Sequence, residues 1–158
     1  MKAADQFHVG VVVDDFESAL DRLAAQLGLD WCEELRVPTP MRLPSGDTTL
    51  TLRFTYSRSV PRLELIEQVP DTLWMPVRGS GLHHLGFWSD DVAADCHVLK
   101  GQGLDLEVSG LDPTGGVQWA YLRQPGGPRI ELVTRAAHAM LEQWWSTGRN
   151  PFGELASP

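Results

Sequence analysis

Positive charge is scarce in this chain. Its 13 Lys and Arg stand against 21 Asp and Glu, a formal net charge of −8 at pH 7. That balance excludes the basic surface on which a nucleic acid or an anionic membrane would dock. Cysteine is scarcer still: Cys32 and Cys96 are the only two, too few for a disulfide framework, and reduced cytoplasmic thiols are expected. No apolar run approaches the roughly 20 residues needed to span a bilayer. The opening MKAADQFHVG has no apolar stretch ahead of a cleavage site, so no secretory leader is expected.

What is there is a sequence that repeats itself. FHVGVVVDDFESALDRLAAQLGLD begins at residue 7 and HHLGFWSDDVAADCHVLKGQGLD at residue 83. His8 and His84 lie 76 positions apart, as do the Asp14-Asp15 and Asp90-Asp91 pairs. Each copy closes on a matching strand, RLELIE at 62–67 and RIELVT at 129–134. With 158 residues, 42% of them hydrophobic, the chain can bury a proper core. Duplication within it predicts a pseudo-twofold fold with equivalent residues contributed by each half.

Periodicity places the elements. FHVGVVV alternates as a strand with His8, Gly10 and Val12 on one face. Asp15 caps the helix that follows, whose apolar stripe is expected to be Phe16, Leu20, Leu23 and Leu27, and Gly28 ends it. A short strand near 31–37, a connection rich in proline (Pro38, Pro40, Pro44) and strands near 47–56 and 61–67 complete a β-α-β-β-β unit. The second unit runs from LHHLGFW through an Asp91-capped helix, with Val92, Cys96 and Leu99 inward, to strands near 105–109, 117–123 and 128–134. The expected organisation is a first module over 1–67, a linker over 68–81, a second module over 82–134 and a C-terminal helix and tail over 135–158. Within the tail, a helix over 136–147 would turn Ala137, Met140, Leu141 and Trp144 inward, and the remaining residues form a loop that frays.

Strand alternation also sorts the polar residues. His84 shares a face with Gly86 and Trp88, while His83 points the other way; Glu64 and Glu131 occupy matching positions in the two closing strands. The concave sides of the two halves would present His8, Glu64, His84 and Glu131 to a common centre. A lone strand histidine is ordinarily a hydrogen-bonded core residue, and a lone strand glutamate ordinarily faces water. A carboxylate inside an apolar strand is costly to bury without a partner, however, and here each is matched to a histidine strand. Two imidazoles and two carboxylates suit one divalent ion such as Zn, Ni, Co, Mn or Fe(II).

The repeated unit, the histidine-led strand openings and the closing ELI and ELV strands resemble the vicinal oxygen chelate superfamily, over about residues 7–134. That group includes glyoxalase I, methylmalonyl-CoA epimerase, extradiol dioxygenases and the bleomycin and fosfomycin resistance proteins. LHHLGFWSDDV and RLELIE are most similar to its glyoxalase and methylmalonyl-CoA epimerase branch. The resemblance implies an α+β fold in which two tandem βαβββ modules form a curved mixed sheet around a central cleft, with the C-terminal helix added. It also implies a metal that binds vicinal oxygens of a small carbonyl or acyl-CoA-type substrate while Glu131 or Glu64 removes an α proton as general base. The expected chemistry is that of a lyase or isomerase. An Fe(II)-dependent extradiol-type dioxygenase and a non-catalytic, resistance-type binding protein are the alternatives. One departure stands out. Where the epimerase pattern has a further glutamate on the third strand of the first module, this chain has DTTLTLRF, with Thr49, Thr51 and Arg53.

Six Trp residues are available to line an apolar pocket. Trp88 and Trp119 are expected on strands facing the cleft, Trp74 and Met75 in the linker over its mouth, and Arg62 and Arg129 at matching positions able to meet an anionic group. The tail helix and long strand edges are compatible with a homodimer, which is frequent in that superfamily.

Overall fold

The computed structural model describes residues 1–152; of the loop expected over 148–158, residues 153–158 lie outside the described residues. Eight strands and three α-helices follow the order read in the sequence: β1 (Gln6–Val13), α1 (Phe16–Leu27), β2 (Leu35–Leu43), β3 (Gly46–Tyr56), β4 (Arg62–Glu67), β5 (Leu82–Ser89), α2 (Val92–Gly101), β6 (Asp105–Leu111), β7 (Val117–Arg123), β8 (Arg129–Thr134) and α3 (His138–Thr147). The fold class is α+β. Among the described residues no helix is long and apolar enough to cross a membrane.

The chain forms two compact units, each assembled from separate stretches. One comprises Met1–Phe7, Pro38–Thr51 and His84–His138 and contains Glu131; the other comprises His8–Val37, Leu52–His83 and the described residues from Ala139 on and contains Glu64.

In the Glu64 unit β1 runs parallel to β4, with His8 beside Arg62 and Gly10 beside Glu64. On its other side β4 runs antiparallel to β3, with Tyr56 opposite Glu64 and Phe54 opposite Ile66. Helix α1 starts where the Asp15 carboxylate accepts from the Ser18 amide at 3.0 Å and stops at Gly28, which adopts the left-handed conformation with φ 66°. Its buried face packs Phe16 and Ala19 against Val13 and Leu65, with Leu20 and Leu23 at the margin. The expected stripe therefore shifts at its end, because Leu27 is 63% exposed in the last turn and Ala19 is buried in its place.

The Glu131 unit follows the same plan. Here β5 runs parallel to β8, with Gly86 beside Glu131. Strand β8 runs antiparallel to β7, with Tyr121 opposite Glu131. Strand β7 pairs with β6, and β6 pairs in turn with β2 through Met41 opposite Gly110. Asp91 caps α2 by accepting from the Ala94 amide at 3.0 Å. Val92, Cys96 and Leu99 pack on Phe87, Ala120, Leu122 and Leu132. In both units the helix covers one face of its sheet and leaves the other for the polar residues.

Two boundaries differ from the sequence reading. The short strand expected near 31–37 starts only at Leu35 and runs on through most of the proline connection as one strand, β2, which holds Pro38 and Pro40 inside it and ends at Leu43, before Pro44. The two prolines occupy alternate positions, so their missing N–H groups fall along one edge of the strand and the other edge keeps its donors. The tail begins with a 3-10 turn over Arg135–Ala137 before α3 starts at His138, and α3 buries Leu141, Trp144 and Trp145. Ala137 and Met140 are only half-buried.

Candidate metal centre

His8 sits on β1 with 2% exposure, and Glu64 on β4 with 5%. Their elements are adjacent and parallel, and the residue of β1 directly beside Glu64 is Gly10, which has no side chain to occupy the space between them. The carboxylate leans toward the imidazole, leaving Glu64 Oε2 3.5 Å from His8 Nε2. The Glu131 unit repeats the arrangement with Gly86 beside Glu131, and Glu131 Oε2 lies 3.4 Å from His84 Nε2. All four residues are buried, and each offers one ligand atom to a metal ion.

These separations carry chemical information. A charge-assisted hydrogen bond between an imidazolium and a carboxylate closes to about 2.7–2.9 Å. Two donor atoms bound to one ion, each about 2.1 Å from it and at the tetrahedral angle, stand about 3.4 Å apart. The two pairs have the second spacing. Imidazole nitrogen and carboxylate oxygen are also the donor set that borderline divalent ions accept. The residues therefore fit a metal.

Other residues singled out in the sequence have varied surroundings. Trp88, on the His84 face of β5, stacks on Phe7 with ring centres 3.8 Å apart and meets His138 edge-on at 5.1 Å. Trp119 lies over Gly110 of the neighbouring strand and is half-buried. Trp74 is 1% exposed, while Met75 beside it is 40% exposed. Arg129 is buried and donates to both carboxylate oxygens of Glu107. Arg62 donates to the Arg58 carbonyl at 2.7 Å and lies 3.9 Å over the Trp145 ring; burial holds its guanidinium below the ordinary arginine pKa. His83 faces away from the glutamates, its Nε2 2.9 Å from the Leu73 carbonyl oxygen. Cys32 and Cys96 are free thiols, both buried.

On β3, Thr49 and Thr51 are exposed, on the face opposite Tyr56. Arg53 shares their face and is engaged with Glu17, Glu34 and Glu67 while lying over Phe16. None of the three can replace a carboxylate aimed at His8.

Sequence reasoning passed over two residues. Tyr56 stands directly across from Glu64 with its ring 5.4 Å from that of His8, and Tyr121 stands directly across from Glu131 with its ring 4.9 Å from that of His84. The signal was present: FTY at 54–56 and WAY at 119–121 put an aromatic and a tyrosine at matching strand positions of the two modules.

The comparisons agree with this architecture. Residues 7–121 match the family model described as the glyoxalase/bleomycin resistance protein/dioxygenase superfamily. Among solved structures, methylmalonyl-CoA epimerase in complex with methylmalonyl-CoA and NH4+ aligns over 84% of this chain and 95% of its own, with a TM-score of 0.58 and 19% identity. A Streptomyces coelicolor methylmalonyl-CoA epimerase variant in complex with 2-nitronate-propionyl-CoA covers 84% of this chain and 95% of its own at 20% identity and a TM-score of 0.58. The Mycobacterium tuberculosis epimerase covers 85% of this chain and 92% of its own at 21% identity and a TM-score of 0.57. At these identities the likeness is one of fold. Comparison with curated protein sequences found no match. The repeated βαβββ plan and the family match over most of the chain place this protein in the glyoxalase/bleomycin resistance protein/dioxygenase superfamily.

Proposed function

We propose that this protein is a metal-dependent lyase or isomerase that removes a proton next to a carbonyl in a small oxygenated substrate, with acyl-CoA thioesters the first class to test. His8, Glu64, His84 and Glu131 together hold one divalent ion, Zn, Ni, Co, Mn or Fe(II). The observation that carries the reading is the paired geometry: each module brings one imidazole nitrogen and one carboxylate oxygen to the spacing of two ligands on one ion, 3.5 and 3.4 Å. The structural neighbours act as methylmalonyl-CoA epimerases, which supports the choice of substrate class.

The metal, when bound, supplies a Lewis acid that polarises vicinal oxygens and accepts the negative charge left by proton removal. The protein supplies the rest. Glu131 or Glu64 takes the proton, a role typically worth about 10²–10⁴-fold in rate. The buried surroundings exclude water, which strengthens each of these electrostatic contacts. A donor set with two carboxylates favours this chemistry over a dioxygenase, whose two-histidine, one-carboxylate site keeps more positions open.

Elemental analysis of the purified protein beside its His8→Ala, His84→Ala and Glu131→Ala variants tests the site. About one equivalent of a divalent transition metal, lost in each variant, is the expected result. A protein that holds no such metal and acquires none on incubation overturns the reading. The activity is then sought by following uptake of deuterium from solvent at the α carbon of acyl-CoA thioesters.

A further inference from the structure

The two arginines that match across the repeat have different surroundings. Arg129 is spent inside the protein, where it donates to both carboxylate oxygens of Glu107. Arg62 is engaged only with neutral groups. Its Nη1 donates to the backbone carbonyls of Arg58 at 2.7 Å and Ser57 at 3.4 Å, and its Cζ lies 3.9 Å over the Trp145 ring. Among the described residues no carboxylate forms an ion pair with it. The edge of the guanidinium formed by Nε and Nη2 remains, with two parallel N–H groups in the geometry that a carboxylate receives.

This cation stands in the unit of His8 and Glu64 and on the same face. Arg62 lies directly beside His8 in the parallel β1–β4 pair and two strand positions before Glu64. Tyr56, opposite Glu64, leaves the same face. A run of rings leads from the histidine to the arginine: His8 to Tyr56 at 5.4 Å, Tyr56 to Trp145 at 5.7 Å, and the guanidinium on the last. Arg62 is half-buried, and burial lowers its pKa while the charge of Glu142 offsets this only in part. A cation that has given up water without a counter-ion is stabilised by an anion from outside. Arg58 is occupied at the last turn of α3, where it donates to the Trp145 and Ser146 carbonyls. One guanidinium matches the single charge of a carboxylate, whereas a phosphate monoester carries about −1.5 to −2 at neutral pH.

We propose that Arg62, seated on Trp145, anchors a carboxylate of the substrate through its Nε and Nη2 edge, at the end remote from the oxygens bound to the metal. The inference rests on the metal reading above and narrows the substrate to one with a free carboxylate several bonds away from its chelating oxygens.

The test uses the full chain loaded with Co(II), whose visible absorption reports on ligands at the ion, and two matched pairs of 2-oxo acids. 2-Oxoglutarate is compared with 2-oxopentanoate, and 2-oxoadipate with 2-oxohexanoate; within a pair the vicinal oxygens are the same and a distal carboxylate replaces a methyl group. The expected result is that the dicarboxylate of at least one pair binds about tenfold or more tightly than its partner, the gain from a charge-assisted hydrogen bond. Arg62→Gln should abolish that preference with Co(II) retained, and Arg62→Lys, which keeps the charge without the parallel N–H groups, should recover part of it. Equal affinities within both pairs in the unaltered protein, or an undiminished preference in Arg62→Gln, overturn the inference and leave the metal site standing. Loss of Co(II) from both variants also overturns it, since Arg62 would then support the ligand strand. Failure of the unaltered protein to take up Co(II) overturns the metal reading itself, and the inference with it.

Discussion

Gly110 shows how much one residue can decide. A Cβ built there would lie 2.0 Å from Trp119 Cε2 and 2.1 Å from Nε1, so the indole rests directly on the glycine backbone. Trp119 in turn leans on Tyr121, and Tyr121 on His84. Gly110→Ala must displace the indole, and overpacking of this kind costs about 1–3 kcal/mol. A lowered melting temperature and a shift in tryptophan emission are expected; unchanged values for both would mean that the ring moves freely. The thiols give a second test at this scale. Burial pushes Cys32 and Cys96 up from 9.0 to about 11 each, so both remain protonated at neutral pH. Neither is expected to react with iodoacetamide at pH 8 until the protein is unfolded, when both should be labelled. A thiol that holds its proton more tightly in the folded chain contributes stability below pH 9, and that contribution declines as the pH rises toward 11. Alkaline unfolding followed by circular dichroism checks the sign.

Among the elements, α3 is the one whose role the sequence understated. Trp144 is fully buried, donates its indole N–H to the Glu33 carbonyl at 3.0 Å and meets both Phe54 and Tyr56 edge-on. Trp144→Ala is expected to cost about 3–5 kcal/mol in a denaturant titration, the range for an emptied aromatic site. Asp91→Ala, which removes only the α2 cap, should cost about 1 kcal/mol. Caps and strand alternation are local, and they were readable: Asp15, Asp91 and Gly28 mark helix ends where expected. The proline-bearing β2 was not readable, because tolerance of Pro38 and Pro40 depends on which edge of the strand carries ladder bonds, and that is set by a partner far along the chain. Trp145 escaped for a related reason. It lies beside the apolar stripe of α3, and its burial comes from Tyr56 and Arg62, which no helical period reveals.

For the molecule as a whole, duplication in the sequence predicts the plan of elements, and strand pairing decides which segments pack together. The modules read over 1–67 and 82–134 are contiguous, and the compact units gather Met1–Phe7 and Pro38–Thr51 with most of the second module and α3 from Ala139 on with most of the first. A repeat records common ancestry of local structure; which segment packs where depends on long-range strand pairing such as Met41 opposite Gly110. That each glutamate lies beside a histidine was legible because a carboxylate in an apolar strand is costly to bury without a partner, whereas the placement of Tyr56 and Tyr121 opposite them was not, because it is set by strand register. If the four ligands share one ion, metal and folding are linked: a ligand that binds only the folded chain at a hundred times its dissociation constant stabilises it by about 2.7 kcal/mol. For a chain of this size that is a rise in melting temperature of roughly 5–10 °C. Saturating Zn(II) should produce the rise, and EDTA should reverse it. In His8→Ala and His84→Ala alike the shift should shrink to within a degree or two, because removing one donor weakens the whole set. A full shift in one of these variants and none in the other would mean that the two modules bind metal separately, and the single-ion arrangement would have to be abandoned.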